Sequence, residues 1–182
     1  MGGPTQKHRS VFLVGLMAVG KSSVGRQLAQ ELGFTFVDAD EMIEERAGAD
    51  IPWIFDIEGE EGFRDRESQV ICEMSTRDGV VLATGGGAIL RESNRVALKR
   101  GYVAYLTSPI SALVRRTRKD KSRPLLQGGD PEETLRRLAR ERGPLYEIVA
   151  DATFETHNAG VKKVALQVAE WFRGVVGEED SS

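Results

Sequence analysis

The chain has 182 residues, 40% of them apolar, and a formal net charge of −3. That length suits one α/β domain with a small insert or lid, and the apolar share excludes general disorder. The acidic balance excludes a global nucleic-acid signature, no apolar run reaches the length of a membrane span, and a single cysteine excludes an intramolecular disulfide and fits a reducing compartment.

The opening MGGPTQKHRS lacks the apolar core of a signal peptide, and Gln6 stands where a myristoylation signal needs Ser or Thr. Residues 1–9 read as a disordered arm, and the expected location is cytoplasmic. Five β-rich runs follow: VFLVG (11–15), FTFVD (34–38), VVLAT (80–84), YVAYLT (102–107) and ATFET (152–156). Most are continuously apolar, as parallel strands covered on both faces are. Helical patterns separate them. KSSVGRQLAQELG ends at Gly33, PISALVRRTR opens with Pro109, and DPEETLRRLARER opens with Asp130 and Pro131. The last pattern places Val161, Val164, Val168, Trp171 and Phe172 on one stripe, read as core. Cys72, in QVICEM, reads as a packed thiol.

Alternating strands and helices predict a parallel, doubly wound sheet. A strandless insert occupies about 39–77, and a polar, basic segment at 118–130 reads as a loop or lid. Residues 10–176 form the predicted domain and 177–182 a solvated acidic tail. Ligands of open α/β sheets bind beyond the carboxyl ends of the strands, so Gly15, Asp38 and Thr84-Gly85-Gly86-Gly87 should line one crevice.

GLMAVGKS (15–22) is G-x-x-x-x-G-K-S between an apolar strand and a helix. Such a loop, here Gly15, Ala18, Val19, Gly20, Lys21, Ser22 and Ser23, turns amides toward phosphate oxygens. Lys21 supplies a point charge to the phosphates and Ser22 a hydroxyl to Mg²⁺. The motif implies nucleoside-triphosphate binding and leaves GTPase, ATPase and small-molecule kinase open. The D-x-x-G and N-K-x-D motifs of switch GTPases are absent, and the third strand ends in a glycine triplet instead. That favours a kinase, which must leave room for an acceptor.

Asp38 and Asp40 stand at i, i+2 where the second strand ends; on a strand both carboxylates would share a face. One would hold water around Mg²⁺ and the other an acceptor hydroxyl or its proton. Helix capping is the plainer reading of either residue. FRDRE sets Arg64 and Glu67 at i, i+3, which would aim the guanidinium at a carboxylate or make an ordinary surface ion pair. Arg142 precedes Gly143-Pro144, where the helix should bend or break, and would supply a second donor. RRTRKDKSR lacks the interleaved aromatics of a single-strand binder and reads as a lid that brings Arg to the phosphoryl group. His8 and His157 have no metal-ligand spacing and read as structural or surface residues.

Together GLMAVGKSSVGRQLA, FVDAD, IFDIEGEEGFRDRE, ATGGGA, RRT…RPLL, ERGPLY and ETHNAG resemble the shikimate kinase family, from about Val11 to Val168. The resemblance implies a three-layer P-loop kinase fold with a five-stranded parallel sheet in the order 2-3-1-4-5, flanked by helices. It implies Mg²⁺-dependent transfer of the ATP γ-phosphoryl group to the 3-hydroxyl of shikimate. It places Asp40 at the acceptor hydroxyls as the base candidate, and Arg64 and Arg142 at the shikimate carboxylate. Gly85, Gly86 and Gly87 would lie against the ring, Gly86 as an amide donor, with Phe55 and Phe63 as an apolar wall. Arg123 would be the lid arginine, Arg116 and His157 would lie on the adenine side, and Ser22 and Asp38 would serve the metal. THNAG looks shorter than the family's usual basic, proline-containing loop, and RKDKS is more charged than its common glycine-rich lid. Another small-molecule P-loop kinase, such as a gluconate or nucleoside-monophosphate kinase, would share the fold; a nucleotide-binding module without phosphotransfer would not need the intact Lys21, Ser22, Asp40 and Arg123. No motif demands a partner chain, nucleic acid or membrane, so a monomer is expected. In this reading Gly85–Gly87 form a bare backbone floor for the acceptor.

Overall fold

The computed structural model describes residues 7–118 and 129–181. Strands β1 (Val11–Val14), β2 (Thr35–Asp38), β3 (Val80–Ala83), β4 (Tyr102–Thr107) and β5 (Ala152–Glu155) form one sheet in the order β2-β3-β1-β4-β5. Every pairing is parallel, with Val11 opposite both Val81 and Tyr102. Central β1 and β3 are buried at every position, whereas edge strand β5 alternates. This is why VFLV and VVLA read as continuous apolar runs while ATFE does not.

Helices α1 (Lys21–Leu32), α2 (Ala39–Ala47), α3 (Ile51–Met74), α4 (Glu92–Leu98), α5 (Ile110–Thr117), α6 (Pro131–Val149) and α7 (Val161–Glu179) connect and cover the strands. A 3₁₀ turn over Ala88–Leu90 follows the glycine triplet. Helix α1 ends at Gly33 in the left-handed conformation, with φ 68°. The 39–77 segment is strandless, as expected: α2 and α3 fill it. Asp50 caps α3 through the Trp53 N–H at 2.9 Å, and the α3 backbone kinks at Gly59, φ 73°. Asp130 caps α6 at Glu132 N–H, 3.0 Å.

Five expectations change. Helix α6 runs through Pro144 without a break. The proline lies on the exposed face, where the carbonyl it cannot pair is left to water. Residues 7–9 are tied down rather than loose: Lys7 pairs with Asp151 at 2.7 Å and Gly79 N–H donates to Arg9 O at 2.9 Å. Residues 177–179 belong to α7, not to a tail, and Glu179 accepts a hydrogen bond from the Tyr102 hydroxyl. Cys72 is exposed, because α3 buries the face carrying Val70, Ile71 and Met74 and turns Cys72 outward. Val161 is 44% exposed at the first turn of α7, while Val164, Val168 and Phe172 are core. Arg123 and the rest of 119–128, like residues 1–6 of the arm, lie outside the described residues. Among the described residues no helix is long and apolar enough to cross a membrane.

Below β3, fully buried Ser10 joins two chain segments. Its hydroxyl donates to Arg77 O at 2.6 Å and accepts from Val80 N–H at 3.0 Å. Ser10→Ala leaves the buried Val80 N–H without this partner and removes the bond to Arg77 O, at a cost of about 1–3 kcal/mol. Urea unfolding should show the midpoint falling by that free energy divided by the slope, with the slope itself unchanged.

Candidate active site

The carboxyl ends of β1, β2 and β3 carry the phosphate loop, Asp38 and the glycine triplet to one edge, as the sequence predicts. Gly15 has φ 148°, and a Cβ there would overlap the Leu106 carbonyl of neighbouring β4. Glycine is therefore required by both conformation and contact. Ala18 (φ 63°) and Gly20 (φ 105°) complete the turn. Helix α1 then starts without a side-chain cap, leaving its positive end for an anion. Lys21 Nζ donates to Gly15 O at 2.7 Å and Leu16 O at 2.8 Å.

The loop is also held from behind. Arg116 Nη1 donates to Ala18 O and Val19 O, both at 3.1 Å, and the Thr156 hydroxyl donates to Val19 O at 2.9 Å. A trans peptide points its N–H opposite its carbonyl, so pinning Val19 O turns Gly20 N–H the other way. Thr156 escaped the sequence reading. Its signal was its position, directly after β5 on the edge where the other strands deliver site residues.

Asp38 and Asp40 do not share a strand face. Asp38 ends β2 and caps α2, accepting from Asp40 N–H at 3.0 Å and Glu41 N–H at 3.2 Å, and Asp40 sits in the first helical turn. The capping reading holds for Asp38 and not for Asp40. The other Asp38 oxygen accepts a hydrogen bond from the Ser22 hydroxyl. A hydroxyl and a carboxylate thus meet at the start of α1, the hard oxygen donors that Mg²⁺ takes alongside phosphates and water.

On the acceptor side, Arg64 and Glu67 are buried on α3 and joined at 2.7 Å, so the surface ion-pair reading falls. Burial pushes the Glu67 carboxyl above the ordinary range, opposed by Arg64, Arg142 and Arg91. Among the described residues Arg64 Nε and Glu67 Oε1 have no hydrogen-bond partner. The rings of Phe55 and Phe63 pack at 4.8 Å, forming the expected apolar pair.

The glycine triplet is explained by these side chains. A Cβ on Gly87 would lie 2.6 Å from Arg64 Nη1, and one on Gly85 would lie 2.8 Å from Glu67 Oε1 and 3.1 Å from Asp40 Oδ1. A Cβ on Gly86 would lie 3.4 Å from Arg142 Nη1 and 3.5 Å from Met17 N. The expected floor for the acceptor alone is corrected: the flanking glycines make room for the ion pair, and Gly86 lies between Arg142 and the phosphate loop.

A cleft of about 390 Å³ runs along this edge. Ala18 to Ser23, Asp38, Asp40, Thr84, Gly85, Gly86 and Arg116 line it, together with Thr156, Ala159 and Val161, which the sequence reading did not place there. His157 is not in its wall, because Thr156 and Ala159 take that place.

The shikimate kinase family model matches residues 17–173. The chain belongs to the shikimate kinase family. The shikimate kinase of Actinobacillus pleuropneumoniae serotype 5b is 53% identical over 163 residues, spanning 89% of this chain and 94% of that one. The structure of shikimate kinase from Acinetobacter baumannii in complex with shikimate superposes with a TM-score of 0.87 at 45% identity, covering 95% of this chain and 96% of the other. A gluconokinase from Sinorhizobium meliloti matches with a TM-score of 0.60 at 14% identity over 95% and 96% of the two chains, and shares the fold alone. The sheet order is that of the shikimate kinase structures.

The Gly87 contact gives a sharp test. Gly87→Ala drives a methyl group into the Arg64 guanidinium, which yields by leaving Glu67, while the phosphate loop is untouched. Kinase activity should fall about tenfold or more, with ATP affinity by calorimetry unchanged and a cooperative melt retained.

Proposed function

We propose that the cleft holds ATP on the phosphate loop and shikimate between Asp40, the glycine triplet and the two buried arginines, and transfers the γ-phosphoryl group to the 3-hydroxyl of shikimate. The activity itself comes with the family: the chain is an ATP-dependent kinase that phosphorylates shikimate. The observation that carries the residue assignments is the Arg64–Glu67 pair packed on Gly87, with Arg142 beside Gly86. A small carboxylated polyol needs anchored guanidinium groups for its carboxylate and a carboxylate acceptor for its hydroxyls, and this edge has both.

In the reaction the acceptor oxygen forms a bond to the γ-phosphorus, the bond to the bridging β-oxygen breaks, and ADP leaves. Asp40 holds the acceptor hydroxyl and receives its proton. Lys21 carries positive charge to the phosphates, and Gly20 N–H and the start of α1 face the same anion. Arg116 lies at the back wall, and Arg123 takes the lid role. Ser22 and Asp38 have the donor chemistry to hold Mg²⁺, Asp38 through water. When bound, the ion neutralises charge on the transferring phosphoryl group. Thr84, whose hydroxyl donates to Leu13 O at 2.8 Å, keeps the end of β3 against β1. The chain works as a cytoplasmic monomer, with no nucleic acid or membrane partner.

Two substitutions separate anchoring from chemistry. Arg64→Ala should raise the shikimate KM roughly 30- to 150-fold, the equivalent of about 2–3 kcal/mol for a charge-assisted contact; an unchanged KM would exclude the anchoring role. Asp40→Asn should depress kcat at retained ATP binding, and near-normal turnover would exclude Asp40 as proton acceptor. A coupled ADP-release assay with shikimate, gluconate and a nucleoside monophosphate should respond to shikimate; release with gluconate alone would overturn the assignment.

A further inference from the structure

Tyr146 is fully buried on α6, one turn beyond Arg142. Its ring stacks on Tyr105 with centroids 5.1 Å apart and 27° between planes. Its hydroxyl donates to Gly86 O at 2.5 Å. That carbonyl belongs to the peptide joining Gly86 to Gly87. The peptide is planar and trans, so fixing the carbonyl direction fixes the Gly87 N–H in the opposite direction.

Two other features bear on this peptide, the Arg64 side chain packed against Gly87 and a turn hydrogen bond that brackets it, and neither fixes the direction of the Gly86 carbonyl. Consecutive glycines have the widest backbone freedom of any sequence. A Cβ on Gly86 would meet nothing nearer than 3.4 Å, so local crowding does not hold it. Among the described residues neither Gly86 N–H nor Gly87 N–H donates to a backbone carbonyl. Gly86 and Gly87 are the central residues of a turn closed by Ala88 N–H donating to Gly85 O at 3.1 Å, and Leu90 N–H donates to Gly87 O at 3.1 Å; with glycine at both central positions such a turn closes with its central peptide in either of two orientations.

We infer that Tyr146 is a positioning residue for the acceptor: its hydroxyl sets the orientation of the Gly86–Gly87 peptide against which the acceptor binds. The inference rests on the assignment of the glycine triplet and the buried arginines to shikimate. It gives α6 two tasks on one face, with Arg142 beside the acceptor and Tyr146 locking the adjacent backbone. Burial pushes the Tyr146 phenol up, with Arg142 opposing, so at neutral pH the hydroxyl keeps its proton and remains a donor. Tyr105 backs the ring from β4 and keeps the hydroxyl in register.

Tyr146→Phe removes one oxygen and nothing else. Steady-state kinetics should show the shikimate KM rising about five- to tenfold with the ATP KM unchanged. A merely structural tyrosine would lower the melting temperature and move both constants together or neither, and either result overturns the inference. If the variant melts below the assay temperature, Tyr105→Leu carries the test, since it loosens the ring without removing the hydroxyl. A selective rise in shikimate KM supports the inference there too, and an equal change in both constants overturns it. Arg64→Ala run in parallel separates the two levels. If Arg64→Ala raises the shikimate KM and Tyr146→Phe does not, the tyrosine role alone fails. If neither moves it, the acceptor-site assignment fails and takes the tyrosine role with it.

Discussion

A buried ion pair lies against bare backbone at the centre of this site. Glu67 is fully buried, Arg64 is nearly so, and Gly87 leaves the space the guanidinium occupies. Removing two charges from water costs several kcal/mol per ion, and a single mutual hydrogen bond does not restore that. An apolar pair of similar volume would serve stability at least as well. The arrangement is explained by what it leaves available: a guanidinium fixed by Glu67 at one nitrogen, with Nε taking no partner among the described residues. The pair then dictates much around it. Glu67 must follow Arg64 by three residues on one helix, the loop after β3 must lack side chains at Gly85 and Gly87, and β2 must end where Asp40 faces the same glycines.

The sheet makes this convergence possible. Because β1, β2 and β3 are parallel and adjacent, their carboxyl ends deliver three loops to one edge. The central strands are buried on both faces, so the edge rests on a rigid support. The phosphate loop and Arg142 then meet at Gly86, where a Cβ would contact both Met17 N and Arg142 Nη1.

Much of this was legible in the sequence, for identifiable reasons. The phosphate loop is read from spacing because its chemistry is backbone geometry plus one lysine, and both are local. The helix start at Asp130 and the stop at Gly33 are likewise local signals. Arg64 and Glu67 were visible as a spacing, yet whether the pair was buried depended on where α3 packs. Asp38 and Asp40 were visible as a pair, but the strand ends at Asp38, two residues short of where the shared-face argument needs it. Cys72 sat in an apolar context whose buried side was set by distant contacts. Pro144 suggested a break because the local rule ignores that its side of α6 faces water. Thr156 and Tyr146 escaped because a single hydroxyl carries no pattern; its meaning lies in a carbonyl 137 residues away for Thr156 and 60 for Tyr146.

Those two hydroxyls do the same kind of thing on opposite sides of the cleft. Thr156 and Arg116 take carbonyls of the phosphate loop, and Tyr146 takes the carbonyl of Gly86. In each case a remote side chain fixes a backbone carbonyl, and the N–H of the same peptide is oriented as a consequence. A backbone donor aimed in this way is preorganised, so no reorganisation is needed as charge moves to the transferring group. Glycine-rich segments need such support more than any others, since their own sterics specify so little. The side chains that aim a glycine loop therefore come from elements remote in sequence, α5 and β5 for one loop and α6 for the other. A substitution at one of those remote positions would act through the backbone it holds.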